Sequence, residues 1–368
     1  MIPKNPIYEI ILIALYWYGL GQQTPYGTIF TETSGIEIGR LQPIKDTIKS
    51  ERIVFYNAEN LFHPSDDSLK SDEDFTPAGS YHWTWSRYID KLNKLGKLFV
   101  ALGEGKMPAI IGICEVENRS VLKDLLNKSI LRSFHYKIIH VESPDNRGID
   151  VALLYDPQKF LPLKYNCLNV SNGIIPGLKT RDILHVTGLF HEKAYCHIFI
   201  NHWPSRRGGQ LSSEKNRMAV ASVLRRTVDS CFIQDEWSNI IIMGDFNDEP
   251  NNKSLRELLK AQDPDHAHDS IGLYNLMFPF LKKGKGTHYR VNNFREAAVL
   301  DQIIVSKSIY YGKSQIILQD NSAHIYENAI LLDKKNNSPL RTYQGLKYIG
   351  GISDHLPVYT DIQILIPL

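Results

Sequence analysis

Cysteine is scarce in this 368-residue chain, with only Cys114, Cys167, Cys196 and Cys231 present and no two of them at CxxC spacing. That scarcity argues against a cysteine zinc site and supplies no disulfide framework. Cys114 and Cys196 lie in apolar, strand-like runs and read as small core residues, while a Cys167–Cys196 bridge stays open. Charge of one sign is also lacking. Lys and Arg number 42 against 40 Asp and Glu, a formal net charge of +2, which permits a nucleic-acid partner without indicating one. Internal repeats and low-complexity tracts are absent, which sets solenoid and fibrous architectures aside.

Long hydrophobic runs are missing apart from Ile7 to Leu20, which holds Glu9 as its one charge and closes on Gly19-Leu20-Gly21. The run is short for a membrane span of about 20 residues. It reads as a secretory signal peptide over 1–23, with a buried or interfacial first helix as the alternative. On the signal reading the protein is exported, periplasmic or extracellular, without stable membrane insertion once the signal is removed. Residues 24–50 then form an extended lead-in, and 51–368 form one folded domain, expected to be a monomer.

What the chain does have is polar residues set at the ends of apolar runs. Ile240-Ile241-Ile242-Met243 leads straight into Gly244-Asp245-Phe246-Asn247. A buried strand selects Ile and Val, and the loops just beyond strands carry function more often than packing. Gly-Asp-x-Asn also makes ordinary turns, but the same form recurs. It appears at Asn57-Ala58-Glu59-Asn60, at Glu115-Val116-Glu117-Asn118, at Asn201-His202-Trp203-Pro204-Ser205, at Leu300-Asp301-Gln302-Ile303 and at Ser353-Asp354-His355-Leu356-Pro357. Between them, apolar spacing of three and four predicts helices over Trp83–Leu102, with Thr84 as N-cap, over Ser120–Leu131 and over Ser212–Val228, and a short one over Leu255–Leu259. Strands are expected over Gly148–Tyr155, Ile183–Leu189 and Tyr195–Ile200. This alternation favours a layered α/β domain.

The ordered set of motifs, from about Arg52 onward, resembles the endonuclease/exonuclease/phosphatase superfamily. The resemblance implies an α/β four-layer sandwich of two central β-sheets flanked by helices, and a hydrolase acting on phosphoester bonds. Its wording is closest to exported bacterial nucleases, so nucleic acid is the expected substrate and endonuclease the expected activity. Inositol phosphatases, sphingomyelinases and a catalytically silent binding protein are the alternatives, and the same core serves the enzymes among them.

Phosphoester hydrolysis needs an activated water, positive charge against the phosphoryl oxygens and a hard divalent cation held by carboxylates. The resemblance implies Mg²⁺, or Mn²⁺, on Glu115 with Asn57 and Asp354 near it; Glu59, two residues past Asn57 and so on the same side of its strand, is a second ligand or else a cap or surface acid. Asp245 is the residue expected to orient or deprotonate water, with Asn247 beside it. His355 is expected on the phosphoryl oxygens, its ring fixed by Asp301, and His202 on the opposite side with Asn201 as companion. Arg147 and Arg181, each just before a strand, fork onto phosphate or make surface ion pairs. Arg206-Arg207, with Lys215 and Arg217 following, is a backbone-gripping loop or a solvated one. Tyr81, Trp83 and Trp85 offer stacking faces, although Trp85 also fits the apolar side of its helix. Tyr155 reads as packing, and the remaining eleven histidines are given no role.

Overall fold

Two seven-stranded sheets face each other in the computed structural model, which describes residues 47–367 apart from 69, 171–174, 176–177, 267–271 and 292–294. The expected signal segment and most of the lead-in lie outside the described residues. The first sheet contains β1 (Thr47–Leu61), β2 (Ile110–Val116), β3 (Lys137–His140), β4 (Asp150–Tyr155), β14 (Ile316–Leu318), β15 (His324–Ile325) and β18 (Val358–Ile366). The second is ordered β5 (Phe160–Leu168), β6 (Ile183–Phe190), β7 (Ala194–His202), β8 (Ile240–Asp245), β13 (Asp301–Ser306), β10 (Leu273–Asn275) and β9 (Ala261–Gln262). Two hairpins, β11 (His288–Val291) with β12 (Arg295–Ala298) and β16 (Tyr343–Gln344) with β17 (Lys347–Tyr348), stand apart from the sheets.

The apolar runs are continuous because both faces of the central strands are covered. Along β8, Ile241 and Met243 join the core between the sheets, while Ile240 and Ile242 join a second core beneath helix α3 (Gln210–Gln234). That is the period-two alternation of a strand buried on both sides. Val220, Ala221, Leu224 and Val228 of α3 close the second core. On the far side of the first sheet, helices α1 (Trp85–Leu102) and α2 (Arg119–Lys128) contribute Tyr88, Leu92, Leu95, Phe99, Leu122 and Leu125 to the main core. Each such buried apolar side chain contributes about 1.5–3 kcal/mol. The inter-sheet contact is close enough to require glycine at one point, since a Cβ on Gly112 would lie 2.8 Å from Met243 Sδ and 3.0 Å from Phe55.

Local differences from the sequence reading have physical causes. Helix α1 starts at Trp85, because Thr84 is the N-cap and accepts the Arg87 N–H. Trp85 is therefore 46% exposed on the first turn instead of in the core, and the buried indole is Trp83, which donates to Phe62 O at 2.8 Å. The segment expected as a short helix near Leu255 is a single π-turn, Ser254–Leu259, stopped by Lys260 in the left-handed region at φ 60°. Strand β1 opens at Thr47, opposite Ile366, so the last residues assigned to the lead-in already belong to the sheet. All four cysteines are free. Among the described residues no helix is long and apolar enough to cross a membrane.

Candidate active site

The ends of β1, β2, β7 and β8 and the start of β13 open on one cavity of about 590 Å³. Strand register builds its floor. His202, the last residue of β7, pairs in register with Asp245, the last of β8, and Asp245 pairs with Asp301, the first of β13. Three side chains from segments far apart in sequence are thus held on one rung of a buried sheet. His355 enters from the loop before β18, fixed by an isolated antiparallel bridge to His288. Its backbone N–H donates to Ser353 Oγ at 3.0 Å, and that hydroxyl donates to Asn57 O at 2.7 Å, tying the loop to β1.

The carboxylates Glu59 and Glu115 sit where the ladders are interrupted. The pairing of β1 with β2 shifts between Asn57 and Leu61, and that of β2 with β4 shifts between Cys114 and Val116. Glu59, Asn60 and Glu115 take φ of 47°, 53° and 57°, a left-handed conformation unusual for non-glycine residues and common where a bulge re-aims a side chain at a functional site. The two bulges are joined, since Asn60 N donates to Glu115 Oε2 at 2.9 Å. Behind Glu59, the buried Lys91 donates to the Glu59 carbonyl and, at 2.8 Å, to Thr342 Oγ1, while Thr342 N donates to Glu59 Oε2 at 2.6 Å.

Asp245 is held on both oxygens. Asn57 Nδ2 donates to Oδ2 at 3.0 Å and the backbone N–H of Asn247 to Oδ1 at 2.9 Å. His202 Nε2 lies 3.7 Å from Asp245 Oδ2 and 3.7 Å from Glu115 Oε1, and His355 Nε2 lies 3.9 Å from Asp245 Oδ2 and from Asp354 Oδ1. His355 Nδ1 stands 2.6 Å from Asp301 Oδ2.

The two histidines are pushed in opposite directions. Burial pulls the His355 imidazolium down, but the charges of Asp301 and Asp245 and the hydrogen bond with Asp301 outweigh it, and the net direction is well above the ordinary value. Burial, reinforced by the positive charges of Arg181, Arg147 and His355, drives His202 well below it. One ring is therefore a cation and the other neutral, the separation that assigns distinct acid and base roles. His202 Nδ1 is buried without a partner. The carboxylates of Glu115 and Asp245, each 3.7 Å from Nε2, favour the tautomer with its proton on Nε2, facing the cavity. Burial raises Asp245 to about 6, with His355 opposing. For Asp354, burial acts upward, yet His355, His288 and Arg341 hold the carboxyl below its ordinary value.

Of the residues expected from the sequence, Glu59, Glu115, Arg147, His202, Asp245, Asn247, Asp354 and His355 line the cavity. Asp301 backs His355 from inside the sheet. Asn57 lies behind Asp245, its amide committed to that carboxylate and, through Oδ1, to the Glu59 N–H at 2.9 Å, so it positions its neighbours instead of facing the cavity. Arg181 is placed differently from expectation. Its guanidinium donates to the carbonyls of His202 and Trp203 at 3.1 and 2.6 Å and pairs with Asp145 at 2.8 Å, so its fork is spent on the scaffold that holds His202 and not on phosphate. Asn201 is likewise structural, accepting from Trp203 Nε1 at 3.1 Å. Arg206 lines the cavity with its Nε on Asn247 O at 2.7 Å, whereas Arg217 is wholly buried against Asp248.

A histidine and two arginines at the site carry no sequence signal of that role. His288, 3.9 Å from Asp354, and Arg290 come from the hairpin β11–β12, and Arg341 pairs with Asp354 at 2.9 Å. Burial, then the His355 charge, lowers His288 to about 4. None of the three ends an apolar run.

A family model described as Endonuclease/Exonuclease/phosphatase family matches residues 52–364 of this chain. No curated protein sequence matches it. Among solved structures, an endonuclease/exonuclease/phosphatase family protein from Bacteroides thetaiotaomicron is similar at 15% identity and a TM-score of 0.53, covering 87% of this chain and 97% of that one. The Bacteroides thetaiotaomicron mannosyl-6-phosphatase is similar at 15% identity and 0.53, over 85% and 99%. The TDP2 of D. rerio, complexed with a single-strand DNA product, is similar at 13% identity and 0.52, over 85% and 98%. Identities this low establish a shared fold.

Proposed function

The chain belongs to the endonuclease/exonuclease/phosphatase family, and on that premise we propose that it is a metal-dependent phosphoester hydrolase that cleaves nucleic acid by in-line attack of an activated water. The observation that carries this reading is the single rung His202, Asp245 and Asp301, with His355 hydrogen-bonded to Asp301 and held as a cation above it.

Asp245 is fixed by Asn57 and by the Asn247 N–H, and orients and deprotonates the water. His355, charged and locked in direction by Asp301, donates to a phosphoryl oxygen as negative charge builds there. His202 donates from neutral Nε2 on the other side. Arg147, Arg206 and Arg290 rim the cavity and suit the phosphates flanking the one attacked.

The donor set fits a hard divalent cation. Glu59, Glu115 and Asp354 face the same cavity, and burial followed by the charge of Asp354 pushes Glu59 up to about 8, a repulsion that a cation between them relieves. One or two of these carboxylates, with waters completing the shell, would hold it. Oxygen donors suit Mg²⁺ first and Mn²⁺ next. When bound, the ion supplies positive charge against the phosphoryl and leaving oxygens.

The test is turnover of plasmid DNA, single-stranded DNA, RNA, sphingomyelin, inositol phosphates and hexose 6-phosphates with Mg²⁺, Mn²⁺ or chelator. Metal-dependent cleavage of nucleic acid is expected. Turnover confined to a lipid or a small phosphomonoester would overturn the substrate and keep the chemistry.

A further inference from the structure

Thr287 immediately precedes β11, is wholly buried, and spends its polar groups on three different segments. Its N–H donates to Ala298 O, at the end of β12, at 2.9 Å. Its carbonyl accepts the N–H of Leu356, the residue after His355, at 2.7 Å. Its hydroxyl oxygen accepts two backbone donors, Leu300 N at 3.1 Å and Asp301 N at 3.0 Å. Asp301 and His355 are 54 residues apart in the chain, and this one residue grips the backbone at both.

The hydroxyl is needed where β13 outruns its neighbour. Strand β10 pairs with β13 only from Ser306 to Ile304, so nearer the cavity the N–H groups of Leu300 and Asp301 have no β10 rung to meet. Both residues are buried, and a buried N–H without an acceptor is costly. Thr287 Oγ1 satisfies the pair of them. The Asp301 side chain has less support than its backbone. Its Oδ2 stands 2.6 Å from His355 Nδ1, while Oδ1 is buried without a donor. A carboxylate with one partner is aimed by the backbone that carries it. That backbone is set on one side by the rung with Asp245 and on the other by the Thr287 hydroxyl. Removing the hydroxyl leaves two buried donors to find acceptors, and the first residue of β13 can do so only by moving.

We propose that Thr287 is the positioning residue of the Asp301–His355 pair: its hydroxyl places the carboxylate, its carbonyl places the loop that carries the imidazole, and the two therefore meet at hydrogen-bond distance. Its importance for turnover rests on the hydrolase reading of the cavity. The test compares the full chain with Thr287→Val, which lacks the hydroxyl, and Thr287→Ser, which keeps it. Two quantities are read: steady-state turnover of nucleic acid with Mg²⁺, and the far-downfield NMR resonance of the Nδ1 proton that His355 donates to Asp301. Thr287→Val is expected to lower kcat roughly 10²-fold, as a misplacement of about 1 Å does, with KM nearly unchanged. The proton resonance is expected to move upfield or vanish in the same variant. Thr287→Ser is expected to restore both. Should Thr287→Val not fold, Thr287→Ala carries the same expectation. An unmoved resonance or an unaltered kcat in the folded variant without the hydroxyl, or a Thr287→Ser protein that behaves like it, would overturn the proposal. Failure of the hydrolase reading registers separately, as no turnover by the unaltered protein while the resonance still separates Thr287→Ser from Thr287→Val.

Discussion

Asp301 Oδ2 lies 2.6 Å from His355 Nδ1, and both side chains are buried at the mouth of the facing sheets. The carboxylate fixes the ring and keeps its second nitrogen, 3.9 Å from Asp245, available as a cationic donor. Replacing Asp301 by Asn keeps the shape and removes the charge. The expected outcome is a fall in kcat of roughly 10³-fold, with the alkaline limb of the pH–rate profile moved to lower pH because His355 loses its proton more easily. A profile with an unmoved alkaline limb would assign that limb to another group.

On the proposed metal site, Glu59 is expected to link metal binding to pH. Its folded value of about 8 stands above the ordinary 4.5, so the folded protein holds a proton that the unfolded chain releases. That contribution to stability is complete below about 4.5 and is lost as pH rises through about 8. Metal-free protein is therefore expected to lose thermal stability between about pH 5 and 9 more steeply than Glu59→Gln does. A divalent cation takes the place of the proton, so the rise in Tm caused by Mg²⁺ is expected to be larger near pH 8.5 than near 5.5, and small throughout in Glu115→Gln. Differential scanning calorimetry across pH checks both.

Lys91 is buried, with its ammonium on the Glu59 carbonyl and Thr342 Oγ1. Lys91→Met leaves those acceptors and the nearby carboxylates without their cation, and a destabilisation of about 2–4 kcal/mol by urea unfolding is expected. Added Mg²⁺ should recover part of it, since it answers the same negative charge.

The approach of the two sheets is tested by Gly112→Ala. The new methyl would meet Met243, Phe55 and Ile200 at 2.8, 3.0 and 3.1 Å, all inside the core. A cost of about 1–3 kcal/mol is expected from equilibrium unfolding. A neutral result would show that the interface relaxes by the few tenths of an ångström required.

The sequence made the strand-end residues legible because a strand buried on both faces has no use for a carboxylate or an imidazole. Asp245, Asp301 and His202 stood out by that logic, and register then placed them on one rung. Two kinds of residue were hidden. Arg181 precedes a strand as Arg147 does, and nothing in its neighbours told that its fork would bind the carbonyls of His202 and Trp203. His288 and Arg341 reach the site through a separate hairpin and a long loop, where no apolar period exists to mark them. The left-handed turns at Glu59 and Glu115 were equally invisible, because glutamate rarely takes that conformation unless the surrounding ladders impose it.

The central claim is tested most directly by the rate of nucleic-acid cleavage with Mg²⁺ for the unaltered protein, Asp245→Asn and His355→Gln, beside a chelator control. The account predicts cleavage that the chelator stops and that each substitution lowers roughly 10³-fold or more, in proteins whose melting shows them folded. Cleavage that survives the chelator, or that persists within about tenfold in folded Asp245→Asn, would contradict it.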